Sequence, residues 1–292
     1  MKKYILLILI FLFSKVQSQN ITVIDSTNHK PITFVNVYFS KNNGTYTNEN
    51  GVFNLNNRIN DTIKLTHISY NDFEIIASNI KDTIILSPNS IILKEILVNN
   101  GKKISKYIDF PKKNSSYSSF PVISKSEIVT LVIPNKDNID SFISKLDFKF
   151  EKKKSNDNAL NTKTALRVNI YSSKNKKIKT KIYSSDVFII DATKKDKIEV
   201  DLDENYIELE KNGLFIGIEV IGDIDNNGNI LNDKTLIRPI LTSNTIEDYN
   251  SETYLKYSFD KKLILNPIND ILEKSSGDKI NRNLSFGITL IK

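Results

Sequence analysis

Between Asn20 and Val98, eight short runs rich in Ile, Val, Phe, Tyr and Thr alternate with Asn, Gly, Asp and Pro, and no helical period runs through them. The runs fall at 21–24, 32–40, 45–47, 52–55, 62–67, 72–76, 83–86 and 93–98. Segments this short, separated by turn-forming residues, read as the strands of an antiparallel sandwich. In the second run Val35, Val37 and Phe39 fall on one face and Asn36 and Tyr38 on the other, the two-residue period of a half-buried strand. Asn50-Gly51 supplies the positive-φ position that a tight hairpin needs, and Phe53 on the returning strand is placed to fill the space between sheets. His67 lies in register with Ile63 and Leu65, so the alternation places it as a packed or hydrogen-bonded side chain near an aromatic corner.

The order of these elements carries a resemblance. Pro31-Ile32 opens a long strand; the stretch Gly44-Thr45-Tyr46-Thr47-Asn48-Glu49-Asn50-Gly51-Val52-Phe53 follows; then come Asp61-Thr62-Ile63-Lys64-Leu65, the corner Ile68-Ser69-Tyr70, Ile84-Ile85-Leu86, and a closing Leu93-Lys94-Glu95-Ile96-Leu97-Val98. This resembles the carboxypeptidase-regulatory-like domain, with Ser69 where that family usually has glycine. The resemblance implies a transthyretin-like Greek-key sandwich over 19–98, of the kind found on exported proteins of Bacteroidetes-type bacteria. It implies a fold and no active site.

From 99 to 125 the composition turns basic and serine-rich, as in Gly101-Lys102-Lys103 and Pro111-Lys112-Lys113, which reads as a linker. Strand-like runs resume over 126–292, near 127–133, 143–150, 165–171, 181–190, 197–202, 214–221, 235–241, 254–259, 263–265 and 284–291. Leu166, Val168 and Ile170 oppose Arg167, Asn169 and Tyr171; Ile198, Val200 and Leu202 oppose Glu199 and Asp201; Leu214, Ile216, Ile218 and Val220 form an apolar row suited to the centre of a core. A second, jelly-roll-like sandwich is the expected architecture, so the fold class is all-β throughout. A membrane barrel would need an apolar outer face, whereas the faces opposite the core carry Lys, Glu, Asp and Asn and read as solvated.

The N-terminus carries Lys2 and Lys3, an apolar run from Ile5 to Phe13, and Val16-Gln17-Ser18 ahead of Gln19, which reads as a signal peptide over 1–18. That run is too short to span a bilayer, so no transmembrane anchor is expected. The absence of cysteine excludes a disulfide framework. The formal charge of +7 falls to about +4 once Lys2, Lys3 and Lys15 leave with the leader. With Arg58, Arg167, Arg238 and Arg282 as its arginines, the chain is not expected to bind nucleic acid.

Catalytic chemistry lacks parts. The two histidines, His29 and His67, both lie in the small N-terminal sandwich, which leaves no zinc-peptidase ligand set and no placed triad. The carboxylate pairs Asp201/Asp203 and Glu208/Glu210 stand at strand spacing on faces that read as solvated. The sharpest motif is Asp223-Ile224-Asp225-Asn226-Asn227-Gly228-Asn229-Ile230, the first part of a calcium loop, in which Asp223, Asp225, Asn227 and the Asn229 carbonyl would be ligands. Lys234 stands where its closing acidic ligand belongs. Tyr249, Tyr254 and Tyr257 are candidates for a sugar-stacking platform in a chain without tryptophan. The expectation is an exported, periplasmic or surface-exposed, non-enzymatic accessory protein without a cofactor, or with calcium. Its partner would be an envelope protein or polysaccharide, and the alternative is a calcium-dependent carbohydrate-binding protein.

Overall fold

A computed structural model describes residues 19–39, 42–55, 58–89, 104–110, 118–152, 163–191, 197–231, 235–243 and 246–292. The leader at 1–18 and the closing strand expected at 93–98 lie outside the described residues.

The N-terminal sandwich consists of β1 (Asn20–Asp25), β2 (Asn36–Phe39), β3 (Asn43–Tyr46), β4 (Val52–Asn54), β5 (Thr62–His67), β6 (Tyr70–Ile76) and β7 (Thr83–Leu86). They form a three-stranded sheet in the order β4-β1-β7 and a four-stranded sheet in the order β3-β2-β5-β6. Its pairings are antiparallel except that of β1 with β7, which is parallel. Alternation decides what lies between the sheets: Val35, Val37, Phe39, Ile63 and Leu65 meet Ile21, Val23, Phe53 and Leu86, all nearly inaccessible. Gly51 takes the left-handed conformation (φ +71°) at the hairpin, and a β-carbon there would lie 2.7 Å from Pro31 Cβ. At the aromatic corner the Tyr70 hydroxyl donates to Asp25 Oδ2 (2.7 Å), tying the start of β6 to the end of β1.

The second body contains β8 (Ser105–Ile108), β9 (Ser126–Pro134), β10 (Ser141–Lys152), β11 (Lys163–Lys174), β12 (Lys177–Ser184), β13 (Phe188–Asp191), β14 (Lys197–Asp201), β15 (Ile207–Leu209), β16 (Leu214–Ile224), β17 (Ile237–Pro239), β18 (Leu241–Thr242), β19 (Tyr249–Tyr257), β20 (Asn266–Pro267), helix α1 (Ile268–Ser276), β21 (Asn283–Leu284) and β22 (Phe286–Ile291). One sheet runs β14-β10-β22-β8, with β15 and β17 also on β10; the other runs β12-β11-β16-β9-β19-β20, with β13 on β11. The row Leu214, Ile216, Ile218 and Val220 is buried between them with Ile198, Val200 and Phe148, as its alternation requires.

Three sequence expectations change here. Part of the segment read as a linker belongs to the second sandwich: Ser105–Ile108 pairs with β22, and Phe120 and Val122 enter the core. The run 181–190 breaks into β12 and β13 because Ser185 turns inward, its hydroxyl accepting the Val168 N–H (2.9 Å). Residues 263–265 form no strand; after them comes α1, whose Ile268 and Leu272 are buried and whose end is closed by Gly277 at φ +79°.

The outer face of β2 and β3 does not meet water. Asn36 and Tyr46, paired across β2 and β3, contact the outer face of the seven-stranded sheet at Arg167 and Glu219, so the four larger sheets stack one on another, beside the short β18-β21 pair. Phe34, Tyr46, Ala165, Ile221, Ile224 and Phe259 are buried together between the two sandwiches.

Candidate functional site

The site with the strongest electrostatics lies on that shared face. Arg167 on β11 stands opposite Glu219 on β16, Glu219 opposite Glu127 on β9, and Glu127 opposite Lys256 on β19. Strand register therefore sets a transverse row of charges, plus, minus, minus, plus, and each of the four residues is at most 5% exposed. Like charges directly opposite one another normally destabilise a sheet. Here every carboxylate oxygen has a donor. Glu219 accepts from Arg167 Nε (2.8 Å), the Tyr46 hydroxyl (2.6 Å) and Asn169 Nδ2 (3.0 Å). Glu127 accepts from Asn169 Nδ2 (3.2 Å) and the Tyr171 hydroxyl (2.7 Å) and pairs with Lys256 Nζ (2.5 Å). Asn169 thus bridges the two acids, and Ser184 holds its carbonyl oxygen (2.8 Å). Gly217 makes room for this geometry: a β-carbon there would sit 2.3 Å from Glu127 Oε1.

Burial alone would push the Glu219 carboxyl up, but Arg167, with Lys181 and Lys256 farther off and the Tyr46 hydroxyl, holds it well below the usual carboxylate range. Burial and the charge of Glu219 push Tyr46 well above its ordinary value, and burial and Glu127 do the same to Tyr171. Both phenols are thereby fixed as donors. Tyr46 comes from the first sandwich, and so does Asn36, whose side-chain oxygen accepts from Arg167 Nη2 (2.5 Å). The row is completed only by contact between the two bodies. As a chemical device it is a clamp, in which each carboxylate is matched by a cation and by neutral donors.

The sequence candidates are placed elsewhere. Asp223 is turned toward β11, accepting from Thr164 Oγ1 (2.5 Å) and the Leu236 N–H (3.2 Å). Asp225 Oδ1 accepts the N–H groups of Asn227 (2.9 Å) and Asn229 (2.8 Å), and the Asn229 carbonyl accepts the Asp225 N–H (3.0 Å). The loop also docks on the first sandwich, where Gly228 O accepts the Glu49 N–H (3.4 Å) and Asn229 Oδ1 accepts from Asn48 (3.3 Å). Among the described residues no group of three or more His, Asp or Glu is placed to hold a metal ion. Tyr249 stacks on Phe286 inside the core, whereas Tyr254 lies on the opposite face of β19 against Phe215, so the three tyrosines share no platform. Asp201, Asp203, Glu208 and Glu210 are exposed, as expected. His29 is exposed, while His67 is half-buried, edge-on to Tyr70, and faces the seam between the sandwiches.

The fold and this site define a class: two β-sandwiches joined face to face, one of them small and hairpin-cornered. The CarboxypepD_reg-like domain family matches residues 22–98, so the first sandwich is such a domain. A search of curated proteins finds no match to the chain. Among the described residues no helix is long and apolar enough to cross a membrane.

Proposed function

We propose that this chain is an exported, non-enzymatic accessory protein of the cell envelope that works by binding or assembly. The observation that carries the proposal is the buried charge row, which commits one broad face of each sandwich to the other and leaves loops and sheet edges for partners. The edge at β8 is suited to strand addition by an envelope protein. Among the described residues β22 is its sole ladder partner; Ser105, Lys106 and Tyr107 are exposed, and Ile104 beside them is 71% exposed. At an edge of the other sheet, β12 carries the exposed Lys177 and Lys179, the kind of charge that discourages pairing.

The test uses chain beginning at Gln19, immobilised and presented with solubilised envelope proteins. Retention of a discrete partner, lost on Ile104→Lys with Tyr107→Lys at unchanged melting temperature, supports the reading. Retention that ignores the substitutions removes the β8 edge. Turnover of peptide or glycoside substrates that disappears on changing one carboxylate removes the non-enzymatic assignment, and a cytoplasmic location on fractionation removes export.

Calcium-dependent carbohydrate binding is the second reading, favoured by a cleft of about 290 Å³ at the seam, lined by Asn20, Asn48, Asn50, Asn54 and Asn229 beside Tyr46. Amide side chains both donate and accept, which matches sugar hydroxyls.

A further inference from the structure

A second seam cavity, of about 240 Å³, lies between β5 of the first sandwich and the β12–β13 connection of the second. Three polar groups on its wall are unmatched. Arg167 is 3% exposed; its Nε binds Glu219 and its Nη2 binds Asn36, but its Nη1 meets no acceptor among the described residues. His67 Nδ1 accepts the Ser69 N–H (3.2 Å), so the neutral ring carries its proton on Nε2, which also meets no acceptor among the described residues. Burial, and then the charge of Arg167, lower the imidazole pKa to about 4, which keeps that ring neutral and its tautomer fixed. Asp186, at the same wall, is exposed, and its carboxylate has no hydrogen-bond donor among the described residues. The neighbouring Ser185 hydroxyl is already engaged, with the Val168 N–H and the Asp186 carbonyl.

Arg167 Nη1 opens on the cavity instead of being sealed in the core, so it is available to an acceptor held there. Two donors lining one cavity, one of them permanently charged, select a carboxylate over a neutral acceptor. Asp186 at the mouth disfavours a plain anion and favours one that also carries an ammonium group. The cavity has the volume of about eight water molecules, room for a small amino acid. Its wall is also strained: Phe34, 6% exposed, holds a left-handed backbone (φ +53°) there, a conformation a bulky residue keeps only where its surroundings impose it.

We infer that this cavity binds a small zwitterion of the α-amino-acid class, with its carboxylate on Arg167 Nη1 and His67 Nε2 and its ammonium on Asp186. The site exists only because the two sandwiches are joined, and it does not depend on the chain's being an envelope accessory protein.

The chain has two histidines, so ¹⁵N-histidine labelling gives each a separate NMR signal. Glycine titrated into the full chain at neutral pH is expected to shift the His67 resonances saturably, in the millimolar range, and to leave His29 unmoved. Acetate and ethylammonium, which each carry half the ligand's chemistry, should bind at least about tenfold more weakly. Asp186→Asn, a change at an exposed residue, should weaken glycine by about tenfold and, by removing the charge that disfavours a plain anion, strengthen acetate. His67 resonances that ignore glycine up to about 100 mM overturn the site, since this corresponds to no useful binding free energy. Acetate binding as tightly as glycine, or Asp186→Asn binding glycine like the wild type, overturns the zwitterion assignment.

Discussion

Lowering the pH from 7 to 5 is expected to cost this fold about 2 kcal/mol through one side chain, His67. Burial first, then the charges of Arg167 and Lys181, against the attraction of Asp186, lower its pKa from 6.5 to about 4. The unfolded chain takes up a proton as the pH falls below about 6.5, while the folded chain refuses it until about 4. The stabilisation is therefore complete above the unfolded value and drains away as the pH falls toward the folded one. Each unit within that window removes about 1.4 kcal/mol, so reaching pH 5 spans roughly one and a half units. The exposed His29 is the only other histidine. Urea unfolding of the wild type and of His67→Gln at both pH values, in a buffer free of amines and carboxylates, isolates the effect. The wild type should lose about 2 kcal/mol more than the variant between pH 7 and 5. Equal losses in the two proteins would refute the claim that the seam holds this imidazole neutral.

Other consequences follow from the charge row and the loop beside it. Arg167→Leu leaves Glu219 buried without its guanidinium and should cost about 3–5 kcal/mol in urea unfolding, with part of the loss recovered in Arg167→Leu/Glu219→Leu. Gly217→Ala drives a methyl against Glu127 and should cost about 1–3 kcal/mol; an unchanged melting temperature would mean that Glu127 has another place to go. Phe259→Ala empties the space between Tyr38 and Tyr46, whose rings lie 5.1 and 4.9 Å from its own. It should cost about 3–5 kcal/mol by calorimetry. If the second reading of function holds, calcium raises the melting temperature by several degrees over EDTA, and Asp225→Asn abolishes the difference. Identical curves would remove the metal from that reading.

Period-two alternation made the inner faces legible: Val35, Val37, Phe53 and the row from Leu214 to Val220 are buried where that alternation puts them. It misleads about the outer faces. Opposite the core, Arg167, Asn169, Glu127 and Glu219 read as solvated, yet all four are buried, and the first sandwich reaches Arg167 and Glu219 through Asn36 and Tyr46. A strand pattern distinguishes inside from outside only when one body is present. The local signal was in β16, where Phe215 and Ile221 point outward and Glu219 is the single charge between Leu214 and Gly222, the near-continuous apolar run of a strand covered on both faces. The contacts of Glu219 with Tyr46 directly and with Asn36 through Arg167 are non-local, and no spacing in the chain announces them. Helix α1 carried its own marks, apolar Ile268, Ile271 and Leu272 followed by Gly277, but its nine residues are too few to stand out among strands.

The bridge from Arg167 to Asn36 gives the chain an indivisibility that its domain boundaries conceal. Cutting between residues 98 and 104 would yield two pieces of plausible length. The larger would then present to water a guanidinium and a carboxylate shaped for neighbours it no longer had, along with the bare ring of Phe259. Transplanted into another protein, the small module would bring Tyr46 and Asn36 without the charges they were placed to meet. Inheritance of this pair should therefore be joint, and its two halves should melt together as one cooperative unit.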